Sequence, residues 1–127
     1  MEDVTKPRPF SEWRTDKFDR DEDAAYTFGS HLIRYCRDEV MQNLPDGITA
    51  AEKEKIKEAI HQSLHNVMEM LEGFWRLDSG EGHSVDYALQ VVVKDNLQNE
   101  IERTEISPCK QDLPIGFWKW AEDGEFR

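Results

Sequence analysis

His61, His65 and Glu69 are the residues of this chain whose types and spacing point most directly to chemistry. On a helix, positions i, i+4 and i+8 stack one turn above another. Two imidazoles so placed can reach one metal ion, and a carboxylate one turn further along can join them. The cation would be zinc or another divalent metal. The segment HQSLH lacks the Glu that follows the first His in the HExxH of zinc proteases, which excludes hydrolysis by that route. A helical wheel sets His65 opposite the apolar stripe of its own helix, with His61 and Glu69 about 40° to either side. The three are therefore expected to face solvent or a partner rather than a sheltered pocket.

Other groupings carry less. Asp19, Asp21 and Asp23 have the alternate spacing of a calcium loop, but Ala24 and Ser30 stand where that loop needs Gly and Glu. They read instead as acidic residues favouring a helix N-terminus. His83, Ser84 and Asp86 are too close together in an extended segment to converge, and no GxSxG elbow is present. Gly80 and Gly82 match neither a phosphate loop nor a dinucleotide fingerprint. His31 is expected at the edge of the core. No catalytic residue emerges. Trp118 and Trp120 are the remaining candidates: side by side on one strand face, they either cover the helical layer or form an interaction site.

The element that must position the histidines is a helix from Thr49 to Gly73. Ile56, Ile60, Ser63, Leu64, Val67, Leu71 and Phe74 recur at three- and four-residue steps and define its core-facing stripe. Thr49 with Glu52 fits a capping box, and Gly73 suits a left-handed stop. An earlier helix, 23–44, puts Ala25, Phe28, Leu32, Ile33, Tyr35, Cys36 and Val40 on its apolar side, with Arg34, Arg37 and Asp38 facing away. The short link through Pro45-Asp46-Gly47 predicts an antiparallel helical hairpin. The stretch after Gly73 changes period. Val85, Tyr87, Leu89, Val91 and Val93 alternate as a strand, and 99–107 supplies a partner after the Asp95-Asn96 turn. Ile101 and Ile106 are five apart, which demands a bulge or a change of face. Leu113–Ala121 is a candidate third strand.

These elements predict an α+β fold in two layers, the helical hairpin packed on a small antiparallel β-sheet of two to three strands. Residues 1–22 form an extended N-terminal arm, anchored through Phe10, Trp13 and Phe18, and 23–127 one domain. The 27 acidic residues outnumber 16 Lys and Arg, a formal charge of −11. Such a surface excludes nucleic acid and anionic membrane as partners, because both demand cations at the interface. The N-terminus has no signal character and the two cysteines match no metal or redox spacing, so a cytoplasmic setting is expected. The functional expectation is a non-enzymatic protein-interaction module, an inhibitor or immunity-type binder of a basic partner, without a cofactor. A homodimer is a second expectation about partners. The alternative function is a metal-binding protein or enzyme using His61, His65 and Glu69, completed across a dimer.

Overall fold

Thr49 and Glu52 close the capping box that starts the longest helix. The Glu52 N–H donates to Thr49 Oγ1 and the Thr49 N–H to Glu52 Oε1, both at 3.1 Å. The structure is a computed structural model that describes residues 21–74, 77–78, 80–108 and 110–123. In chain order its elements are helix α1 (Asp21–Ile33), a π-helical segment (Arg34–Asp38), and the short helix α2 (Glu39–Gln42). Helix α3 (Ala50–Leu71) follows, then strands β1 (Leu77–Asp78), β2 (Ser84–Val85), β3 (Leu89–Lys94) and β4 (Glu100–Ser107), and helix α4 (Leu113–Asp123). The fold is α+β, as the sequence predicts. The expected arm and its aromatic anchors lie outside the described residues.

Helix α3 ends as its Gly73 requires. That residue has φ +82°, and the N–H groups of Gly73 and Phe74 donate to the carbonyls of Met70 and Glu69. This is the Schellman arrangement, which satisfies two of the carbonyls a helix end leaves orphaned. A third is met from outside the helix: Ser107 Oγ donates to the Leu71 carbonyl at 3.0 Å. Glu72 Oε1 then accepts from the Leu113 N–H at 3.0 Å, which sets a carboxylate at the start of α4, where the helix dipole favours it. The end of α3 therefore holds both the end of β4 and the start of α4.

β3 and β4 pair antiparallel, with register slips between Leu89 and Gln90 and between Val93 and Lys94. Each slip leaves one extra residue on β4, Ile106 and Ile101. Ile106 is fully buried while Ile101 is exposed. The single irregularity expected between these isoleucines is thus two bulges. The expected continuous strand from Val85 to Val93 is divided. Val85 pairs with Leu77 of β1, whereas Leu89 onward pairs with β4, and the chain passes from one ladder to the other through 86–88.

The larger correction concerns 113–121. This stretch is helix, not a third strand. Leu113, Phe117, Trp120 and Ala121 are all buried, and their steps of four, three and one are helical spacing. α4 packs against both α1 and α3, and β3 and β4 lie on α1. The core comprises Ala24, Ala25, Tyr26, Ile33, Met68, Val93, Ile106 and those four residues of α4. Trp120 fills the gap between α4 and α1: a Cβ added at Gly29 would lie 2.4 Å from its ring. Glycine at 29 is what lets the indole lie on the α1 backbone. No helix among the described residues is long and apolar enough to cross a membrane.

Candidate functional site

Arg37 is the centre of the molecule's buried polar chemistry, with 1% of its surface exposed. The reading that turned Arg37 outward and Cys36 inward is reversed, since Cys36 is exposed and Tyr35 and Val40 are largely so. The buried face of this helix runs through Tyr26, Ser30, Ile33 and Arg37 at steps of four, three and four. That arc overlaps the expected apolar side at Ile33, and Ala25, Phe28 and Leu32 also meet the core, but it extends beyond them to Arg37. Arg37 also sits in the π-helical segment, where the Glu39 N–H donates to the Arg34 carbonyl five residues back. Single wide turns of this kind are frequent at functional sites.

The guanidinium is used unevenly. Its Nε donates to Asp38 Oδ1 at 2.8 Å, and its Nη1 donates to the Ala121 carbonyl at 2.7 Å and to His61 Nε2 at 3.2 Å. Nη2 is buried and has no hydrogen-bond partner among the described residues. An unsatisfied buried donor on a charged group costs about 1–3 kcal/mol or more. The Ala121 carbonyl lies in the last turns of α4, where a cation is favoured. Arg37 thereby ties α4 to the π-helical segment.

The same contact sets the tautomer of His61. A guanidinium can only donate, so Nε2 must be the acceptor and the ring proton resides on Nδ1. Burial lowers the His61 pKa below its ordinary value, the positive charges of Arg37 and Lys57 lower it further, and Glu54 and Glu122 oppose them. Its ring meets Phe117 and Trp118 edge-on at 5.8 and 6.1 Å. His65, one turn on, lies tilted over Trp118 with ring centres 4.9 Å apart, and its Nδ1 is 3.4 Å from Glu69 Oε1.

The histidines are therefore not on a bare face. The wheel placed them away from the core, but α4 covers them with Phe117 and Trp118, and the only buried residue of α3 is Met68, on their side. The stripe expected to be buried is so only in part: Leu64 and Leu71 pack against the core, whereas Val67 is 40% exposed and Phe74 63%. The error has the same origin as the one at Arg37. With 113–121 taken as a strand, nothing in the sequence offered these imidazoles an aromatic neighbour.

As ligands, His61 and His65 are differently placed. His61 directs its lone pair at a cation, and His65 turns Nδ1 to Glu69. Among the described residues, no group of three or more His, Cys, Asp or Glu is placed to hold a metal ion. Trp118 and Trp120 do not share a face either. Two residues apart on a helix they diverge by about 200°, so that Trp120 is 3% exposed over Gly29 and Trp118 is 42% exposed beside His65. His83 lies in an exposed loop with Nδ1 2.8 Å from the Glu81 carbonyl oxygen. His31 is exposed beside Tyr35 rather than bonded at the core edge. Sequence reasoning placed Arg37 on the outer side and gave it no role, although its spacing from Tyr26, Ser30 and Ile33 was the available signal.

Comparison with protein-family models, with curated proteins and with solved structures returned no match.

Proposed function

We propose that this chain is a non-enzymatic protein-interaction module whose docking surface is the outer face of α3, and that its partner is a basic protein. The observation that carries the reading is the apolar surface that α3 leaves exposed at Val67 and Phe74. The apolar stripe of this helix is only partly used in packing, since Leu64 and Leu71 lie against the core while the rest does not. Ile56 and Ile60 are half-buried, and Val67 and Phe74 are exposed at its C-terminal end. An apolar stripe left open on a strongly ionised surface is the composition of an interface centre with a charged rim. The formal charge of −11 selects the partner's sign, because it disfavours a like-charged second copy and attracts a basic surface. An inhibitor or immunity protein works in this way. The alternative metal reading has against it that the lone pair of His61 is directed at Arg37.

The test is affinity capture from lysate by the unaltered chain beside Val67→Asp and Phe74→Asp variants of matched folding. The expected result is one basic protein retained by the unaltered chain, lost with either variant and released by salt. Capture that is indifferent to both substitutions, or a captured partner that is acidic, overturns the reading.

A further inference from the structure

A cleft of about 440 Å³ runs between α1 and β3, with Thr27, Phe28 and His31 on one wall and every residue of 90–94 on the other. Successive side chains of a strand point to opposite faces of its sheet. Consecutive residues can therefore all border one cleft only where it follows the edge of the strand. The other edge of β3 is taken by β4, and among the described residues β3 has no second neighbour. The cleft thus follows unpaired backbone N–H and C=O groups. Both register slips place their extra residue on β4, so β3 has no bulge, and it contains no proline. Two of the devices that ordinarily shield an open edge from another strand are missing.

We propose that this edge binds an extended peptide of a partner protein, which adds a strand beside β3 and brings an acidic side chain to Lys94. The unpaired ladder groups point to a strand as the occupant, because another extended backbone presents N–H and C=O groups at the matching spacing. Phe28 and the three valines 91–93 give the cleft apolar walls, which suit the alternate side chains that an added strand turns into it. Charge selects the peptide. Lys94 lines the cleft and no carboxylate among the described residues does, on a chain of net charge −11. Glu100, opposite Lys94 in the ladder, is engaged by Arg103, and Lys94 has no ion-pair partner among the described residues. The same net charge disfavours a second copy as the occupant. No residue of α3 lines this cleft, so the proposal does not depend on the outer face of that helix.

The experiment titrates the whole chain with an acetylated, amidated hexapeptide that alternates valine with threonine and ends in aspartate, followed by amide NMR. Saturable shifts with a Kd below about 1 mM are expected at 27–31 and 89–94. Amide hydrogen exchange along β3 is expected to slow as its open edge is paired. Two further peptides, N-methylated at one or the other alternate set of residues, test the backbone pairing, since each set blocks one edge of the added strand. One is expected to bind and the other to fail. Lys94→Glu, at an exposed position outside the core, is expected to weaken the aspartate peptide by about tenfold and to strengthen a lysine-ended one by a similar factor. Shifts that do not saturate or that centre elsewhere, any other pattern from the N-methylated pair, or an unchanged preference in Lys94→Glu overturns the proposal. A chain already dimeric without peptide, whose dimer the peptide dissolves, overturns it too and assigns the edge to a second copy.

Discussion

His61 joins three parts of the chain through one ring: its own helix, Arg37 on the π-helical segment, and the aromatic residues of α4. Its spacing from His65 was plain in the sequence. Its partner 24 positions earlier was not, because no local pattern connects them. The contact has a pH signature. Burial disfavours the charged ring, and protonation would also set an imidazolium against the Arg37 guanidinium, so the folded pKa lies below the 6.5 of a free imidazole. Between those two values the unfolded chain binds more protons than the folded one, and stability falls as pH drops through that window. The contribution is fully present above about pH 6.5 and is lost once pH passes below the folded value. His61→Gln keeps an acceptor for Arg37 and removes the titration. Thermal unfolding followed from pH 7.5 to pH 5 is expected to decline less steeply in that variant than in the unaltered chain. Parallel declines would show that His61 does not carry the effect.

Helix ends were legible and helix faces only in part. The capping box at Thr49 and the left-handed Gly73 are local chemistry, complete within a few residues, and both are present as read. Which side of α1 and α3 packs is decided by α4, a partner far along the chain. The hydropathy stripe found that side only in part: Ala25, Phe28, Leu32, Ile33, Leu64 and Leu71 do meet the core, but the most deeply buried positions extend past it to Arg37 in one helix and Met68 in the other. α4 itself carried a helical signal in Leu113, Phe117, Trp120 and Ala121, overridden by the expectation that Trp118 and Trp120 share one strand face. The packing of α4 on α1 depends on Gly29. Glycine to alanine in a helix interior is ordinarily worth about 1 kcal/mol in favour of alanine. Here the added methyl would meet three atoms of the buried Trp120 ring at 2.4 to 2.7 Å. Overpacking of a rigid ring costs about 1–3 kcal/mol, occasionally more, and outweighs the propensity gain. Gly29→Ala is therefore expected to lower the midpoint of chemical denaturation. The loss should shrink in a Trp120→Leu background, as a double-mutant cycle would register. An additive cycle would show that the ring is not what excludes the methyl.

Charge and apolar surface pull the assembled chain toward different partners, and salt separates them. The open stripe of α3 favours burial against any apolar surface, a second copy included. The charge of −11 opposes that second copy and favours a basic protein. Raising ionic strength from 0.1 M to 1 M shortens the Debye length from about 10 Å to about 3 Å, which weakens attraction and repulsion alike while leaving the apolar contribution in place. The two occupants then respond with opposite sign. Association with a basic protein is expected to weaken with salt, chiefly through a slower on-rate. Self-association, held back by like charge, would strengthen. Sedimentation velocity across that range is expected to find the isolated chain monomeric at 0.1 M salt. Titration against the captured partner is expected to give a Kd that rises with salt, with Val67→Asp weakening binding at both ends of the range. A Kd that falls with salt, or a dimer already present at 0.1 M and lost on Val67→Asp, would assign the stripe to a second copy instead of a basic protein.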